Sequence, residues 1–286
     1  MTLLVTAASG HLGRLVVDAL LERGVPASDI VAGARTPATV DDLAARGVRV
    51  AELDYARPET IAAALDGVTR VVLISGNGPD RVAEHRAVID AIRAAGVERL
   101  VYTSAPRNDV VDYALGADHK ATEQAIAESG VSATILRNNW YTENYLDTVA
   151  RAADTGEIVA ATGDARVASA SRRDYAEAVA IALTTDELAG RTVEIGGDVA
   201  WTYDELAAAA SEVLGRPVTY TRVSVEQLTE GLKAAGLDAG TAAFVAGIDD
   251  AIARGALGQT DGSLSRLIGR PTTPLVDGLR EGLAAR

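Results

Sequence analysis

Thr2-Leu3-Leu4-Val5-Thr6-Ala7-Ala8-Ser9-Gly10-His11-Leu12-Gly13 follows Met1 directly, an apolar run that breaks into a glycine turn. A helical pattern begins at once behind it, because Leu12, Leu15, Val16, Ala19 and Leu20 recur at three- and four-residue spacings. Gly24 stops that helix and Pro26 forbids its resumption. Strand, glycine turn and helix in this order turn unpaired amides and the positive end of a helix dipole toward whatever lies above the strand, which suits a pyrophosphate. Gly10 and Gly13 hold the second and third glycine places of a dinucleotide-binding turn, and Ala7 holds the first.

Outward from this stretch the chain alternates. Buried strands read at 30–34, 48–53, 70–75, 99–104 and 132–136, with helical patterns between them. With the opening strand they predict an α/β fold: a doubly wound parallel (Rossmann) sheet of six strands and a smaller C-terminal α/β lobe. Residues 1–150 read as the dinucleotide-binding Rossmann domain, with a helix near 174–184 packing back on it. Residues 151–286 read as the substrate-covering lobe, built from strands at 158–161, 192–195 and 218–220 and from helices opened at Asp174 and after Thr202, Ser224, Thr241 and Pro274.

Composition narrows the function. A formal charge of −13 with no run of Lys or Arg speaks against a nucleic-acid surface. With no cysteine, disulfides, thiolate metal sites and cysteine nucleophiles fall away together. His11, His85 and His119 lack ligand spacing, so no metal is expected. The apolar N-terminus is only about a strand long and has no basic flank, so neither a signal peptide nor a membrane span is expected and a cytoplasmic protein is. A homodimer is an assembly the sequence permits.

Several residues carry candidate chemistry. Arg35 ends the second strand where an acid would accept hydrogen bonds from an adenosine ribose; an arginine there pairs instead with a 2′-phosphate or stands solvated. Arg14, one residue past the turn, is placed to add to it. Asp54 either bonds adenine or caps its own turn. Ser75-Gly76-Asn77-Gly78-Pro79 is a glycine-rich loop at a central strand's carboxyl end, either a cofactor crossing or a plain turn. His85 shares a helix face with Val88, Ile89 and Ile92 and reads as packed and hydrogen-bonded.

No tyrosine has lysine four residues on, so the Tyr-x-x-x-Lys acid pair of short-chain dehydrogenases is missing. Nearby stand Asp118, His119, Lys120 and Glu123; Lys120 and Glu123 form either a surface ion pair or part of a substrate site. Arg137-Asn138-Asn139-Trp140-Tyr141-Thr142-Glu143-Asn144-Tyr145 follows an apolar strand as a polar, aromatic loop. Its amides and rings either frame a flat acceptor or pack against the second lobe.

With that loop in view, the chain resembles the NmrA-like branch of atypical short-chain dehydrogenases, and within it the NADPH-dependent quinone oxidoreductase type 2 group. The glycine turn, Val25 to Ser28, Arg35, Val71 to Ser75, Tyr102 to Ser104, His119 to Glu123, Leu136 to Tyr145, Ala168 to Ala176 and Leu267 to Thr273 carry the resemblance along the whole chain. It implies that Thr6, Ser9, Gly10, His11, Leu12, Gly13 and Arg35 bind the diphosphate and adenosine end of NADPH. It further implies that Ser75, Gly76, Asn77, Asn139, Trp140 and Tyr141 line the nicotinamide half and that Asn144 sits near the quinone; Lys120, His119 and Asn144 are the catalytic candidates, as groups able to polarise a quinone oxygen. Ala7 departs from the group's glycine, which is expected to weaken cofactor affinity; Gly76 to Gly78 and Ala105 to Val111 also depart, and they bear on acceptor choice.

Hydride delivered to a quinone makes a stable hydroquinone anion that takes its proton from water, whereas a ketone would give a basic alkoxide that needs an acid. The missing tyrosine therefore fits a quinone reductase. An NADP(H)-sensing regulator without turnover, or an enone or flavin reductase, are the other readings of the same fold. Hydrogen bonds to charged groups are worth about 1.5–3 kcal/mol, so Arg35→Ala is expected to lose about ten- to a hundredfold of preference for NADPH over NADH, read as the ratio of the two dissociation constants.

Overall fold

The structure, a computed structural model, describes residues 1–76 and 78–286; Asn77, one of the expected cofactor residues, lies outside the described residues. In chain order the elements begin with β1 (Leu3–Val5), α1 (His11–Glu22), β2 (Ile30–Ala34), α2 (Asp41–Ala45), β3 (Arg49–Glu52) and α3 (Pro58–Ala64). β4 (Arg70–Ile74), α4 (Arg81–Ala94), β5 (Arg99–Ser104), α5 (Ala114–Ser129) and β6 (Ala133–Asn138) follow. Then come α6 (Leu146–Thr155), β7 (Glu157–Ala160), β8 (Arg166–Val167), α7 (Arg172–Thr184), β9 (Thr192–Ile195) and β10 (Trp201–Thr202). The chain ends with α8 (Tyr203–Leu214), β11 (Thr219–Arg222), α9 (Val225–Ala234), α10 (Ala239–Ala253), α11 (Ser263–Ile268) and α12 (Leu275–Ala284).

The main sheet runs β3-β2-β1-β4-β5-β6-β9, with the order reversing at β1. Its pairs are parallel and in simple register, such as Leu4 against Val31 and against Val71. Six strands were expected; the seventh is β9, which the pattern had placed in the smaller lobe. Backbone bonds from Ile135 N to Arg191 O and from Asn139 N to Ile195 O, both 2.9 Å, add it beside β6. A four-residue edge strand with two polar members carries no periodic signal that separates it from a lobe strand.

Side chains alternate between the faces of the sheet. Leu4, Val31, Val71, Leu73, Leu100 and Tyr102 join Ile61, Val88, Ile89, Ile92 and Ile126 in one core. On the other side α7 packs on α1 and reaches β4, β5 and β6. Arginines at the strand starts explain its return: Arg70 donates to Leu183 O at 2.9 Å and Arg99 to Thr185 O at 2.6 Å. The last carbonyls of α7, which have no partner inside the helix, are thereby satisfied by cations that also favour the negative end of its dipole. Both arginines pair with Asp186, which holds that carboxyl below its usual range.

The chain forms two compact units, one of Met1–Ala105, Asp118–Asn138 and Arg172–Glu194, the other of Pro106–Ala117, Asn139–Ser171 and Ile195–Arg286. A boundary near residue 150, expected from the change in composition, falls inside the second unit. That unit pairs β11 with β7 in parallel and β10 with β8 in antiparallel fashion. Its core gathers Tyr145, Val149, Ile158, Trp201, Leu206, Ile252 and Leu279. Tyr145 meets Trp201 edge-on at 5.0 Å between ring centres and Tyr203 at 5.9 Å. No helix of the described residues is long and apolar enough to cross a membrane.

Asp249 on α10 is 9% exposed, and its Oδ2 accepts the Ala161 amide at 2.7 Å. Burial pushes its carboxyl up to about 6. The folded state thus keeps a proton between pH 4 and 6 that the unfolded chain gives up, and stability from this group is lost as pH rises through 6. Asp249→Asn keeps an acceptor for Ala161 and removes the charge. It is expected to be more stable than the wild type by about 2 kcal/mol at pH 7.5 and to lose that advantage at pH 4, measured by denaturant titration at the two pH values.

Candidate functional site

The turn after β1 is built from backbone. Ala7 adopts φ +49°, the left-handed region in which a β-carbon is crowded. Gly10 N donates to Ala7 O at 2.9 Å and Ala8 N to Gly33 O at 2.9 Å, which pins the turn to β2. A β-carbon on Gly13 would stand 2.3 Å from Ala7 O, so α1 approaches the turn as closely as it does only because residue 13 is glycine. The N-cap of α1, Gly10, brings no side-chain acceptor, and no acidic residue lies in its first turn. The amides of His11, Leu12 and Gly13 remain for an outside anion, with Ser9, Gly10 and His11 exposed. Thr6 departs from expectation: it is wholly buried, its Oγ1 accepts the Ile74 amide at 3.0 Å and lies 2.5 Å from Tyr55 Oη, so its side chain is engaged in tying β1 to β4.

Arg35 is exposed past the end of β2, and among the described residues it makes no ion pair. Arg14 is engaged elsewhere, donating to Asp42 Oδ2 at 2.7 Å and to the Thr39 carbonyl, which braces the segment after Arg35. That guanidinium holds Asp42 below its usual range. Asp54 caps its turn, its Oδ1 accepting the Ala56 amide at 3.1 Å.

The loop after β4 is held from below. Ser75 N donates to Thr103 Oγ1 at 3.1 Å, and Gly76 N donates to His85 Nε2 at 3.0 Å. Nothing in the fold demands glycine here: Gly76 has no positive φ, and its missing β-carbon would find its nearest neighbours 3.9 Å away. Gly78 has nothing within 4 Å. Bare backbone with open space around it admits a flat ligand at close range. Open space at Gly76, the uncapped α1 amides and the unpaired Arg35 together suit a dinucleotide with a 2′-phosphate.

His119 also departs from expectation. It is buried, its Nδ1 lies 2.8 Å from the Tyr102 hydroxyl, and burial pushes the imidazole down to about 4. A buried neutral ring bonded inward cannot polarise an acceptor from the surface. Lys120 is exposed, and Glu123 pairs not with it but with Arg137, Nε to Oε1 at 3.0 Å and Nη2 to Oε2 at 2.7 Å. Arg137 also reaches Glu194 at 3.1 Å, and Ser104 Oγ donates to Glu123 at 2.6 Å. This network laces the carboxyl ends of β5, β6 and β9.

In the second unit Asn139 is buried and its amide serves the backbone, Nδ2 donating to Leu257 O at 3.1 Å and Oδ1 accepting the Trp140 amide at 2.6 Å. Ala170 N donates to Trp140 O and Thr142 N to Ala170 O, which fixes Tyr141 in a parallel bridge. Trp140 is half-buried against the unit's core, and Asn144 is exposed. Of the expected residues, the structure gathers Ser9 to Gly13 at one turn and Asn139 to Tyr141 in one loop. Tyr55 and Thr103 escaped sequence reading because their partners lie 49 and 28 residues away with no spacing to announce them.

A family model for the NmrA-like family matches residues 1–247. The chain is 40% identical over 274 residues to quinone oxidoreductase 2 of Escherichia coli K12, covering 96% of each. The crystal structure of the Escherichia coli NADPH-dependent quinone oxidoreductase in complex with NADPH superposes with a TM-score of 0.94 at 39% identity, covering 98% of this chain and 99% of that one. Triphenylmethane reductase of Citrobacter sp. in complex with NADP(H) gives 0.93 at 35% identity over 99% and 100%.

Left-handed backbone costs alanine about 1 kcal/mol relative to glycine. Ala7→Gly is expected to raise the melting temperature by about 2 °C in calorimetry, and Ala7→Val, whose branched side chain tolerates this φ least, to lower it.

Proposed function

The chain belongs to the NmrA-like family, and on that footing we propose that it is a cytoplasmic NADPH-dependent reductase that passes hydride directly to quinones. One observation carries this reading: likeness to an NADPH-dependent quinone oxidoreductase runs through 96% of both chains rather than through the glycine turn alone. The turn's geometry supports it, since free amides and an unpaired Arg35 suit a phosphorylated dinucleotide.

In this reading the His11, Leu12 and Gly13 amides hold the diphosphate, Arg35 holds the 2′-phosphate, and Ser75 to Asn77 meet the nicotinamide half. Bound NADPH supplies the hydride. Asn139 keeps the segment through Tyr141 in place, and the reading assigns the exposed residues Asn144 and Lys120 each to a role toward the acceptor.

No strong acid is needed, and the chain's own groups agree with that. Burial pushes the His85 and His119 imidazoles down to about 4 and raises the Tyr55 and Tyr102 hydroxyls, so at neutral pH none of them readily gives up a proton. One quinone, one hydride and one proton from water make one hydroquinone, and the protein's work is alignment.

Steady-state oxidation of NADPH against benzoquinones, flavins and enones tests the reading. Turnover with benzoquinone, and a kcat/KM for NADPH at least about tenfold above that for NADH, is the expected result. Tight NADPH binding without consumption by any acceptor would instead identify a sensor.

A further inference from the structure

We propose that His85 is a positioning residue for the cofactor: its ring nitrogen accepts the Gly76 amide and so sets the backbone that the nicotinamide half of NADPH meets. The inference rests on the assignment of Ser75 and Gly76 to the cofactor under the proposed function.

Three bonds in series define the ring's state. The Thr122 hydroxyl donates to Asp118 O at 3.0 Å, which leaves its oxygen lone pair for the His85 Nδ1–H, 3.0 Å away. With the proton on Nδ1, Nε2 offers a lone pair, and the Gly76 N–H donates to it at 3.0 Å. Orientation is set by packing as well. The ring is 1% exposed and stands edge-on to Tyr55 and Tyr102, with centres 6.1 and 5.8 Å apart.

The surroundings keep the nitrogen an acceptor. Arg81 and Glu84 on α4, Asp118 and His119 on α5, and Tyr102 on β5 are the polar and charged neighbours. Arg81 pairs with Asp118 at 2.7 Å, so the carboxylate that would otherwise stabilise an imidazolium is already matched. Burial and the Arg81 charge push His85 down to about 4, so the ring is neutral at pH 7.

A histidine that only filled the core would not aim a lone pair at a loop. With Ser75 N held by Thr103 and Gly76 N held by His85, two consecutive amides of this loop are bonded into the protein. The open side of Gly76 is then presented in one conformation, so the cofactor need not order it on binding.

Calorimetric binding of NADPH, melting temperature, hydrogen exchange at the Gly76 amide, and kcat with a benzoquinone at saturating NADPH test this. His85→Leu is expected to raise the NADPH Kd about tenfold and speed Gly76 exchange, while kcat at saturation stays within about twofold. His85→Gln, whose Oε1 reaches the Nε2 position, is expected to bring Kd back to within about twofold of the wild type. An unchanged Kd in His85→Leu, or a His85→Gln variant that folds yet binds no better, overturns the proposal. Should His85→Leu not fold, Thr122→Val decides, since it removes the group that fixes the tautomer: a Kd raised at least about threefold supports the proposal and a wild-type Kd overturns it. A wild-type chain that binds no NADPH overturns the cofactor reading itself, and this inference with it.

Discussion

The carboxyl edge of the sheet depends on a steric fact, the absence of a side chain at Gly13. Ala7 O lies where that β-carbon's neighbour would have to be, 2.3 Å from it. Because the contact is backbone on backbone, no rotamer change could relieve it. The turn can therefore bring α1 over the end of β1 only with glycine at 13. The strain sits one step earlier, at Ala7, which takes a left-handed conformation without being glycine. Such strain persists where the surroundings over-determine it, and here the Gly10 and Gly33 bonds do so.

From that turn outward the same device recurs: side chains are used to hold backbone, and backbone is left to meet ligand. Thr6 and Tyr55 tie β1 to β4, Thr103 and His85 hold the amides of the next loop, and Asn139 holds the start of the loop after β6. Each is a buried or partly buried polar group with a main-chain partner, which satisfies it without a competing conformation. Leaving main-chain amides open lets the side chains beneath be rigid, which holds the backbone that a ligand would meet in one geometry.

Charge is arranged in the same spirit. The Glu123 carboxylate, matched by a two-point bond from Arg137 and by the Ser104 hydroxyl, secures the ends of β5 and β6, and Arg137 extends the network to Glu194 on β9. The two histidines of the first unit's interior are kept neutral by burial, and a cation is left exposed at Arg35. Both arrangements agree with the proposed reduction, for which no buried proton donor is needed.

The sequence by itself determined the strand-turn-helix opening, the alternation that makes a parallel sheet, the packed character of His85 and the family to which the chain belongs. Those features are written in local periodicity, glycine spacing and an extended run of matching residues, and local patterns survive folding because each element must bury its own apolar face. Tertiary structure alone decided that β9 closes the sheet and that Thr6 and His119 face inward. It also decided that Arg14 belongs to Asp42, that Glu123 belongs to Arg137, and that Tyr55 and Thr103 matter at all. The physical reason is common to all of them: hydrogen bonds and ion pairs are short-ranged and indifferent to sequence separation, so which donor finds which acceptor is settled only when distant strands and helices have come within 3 Å of one another.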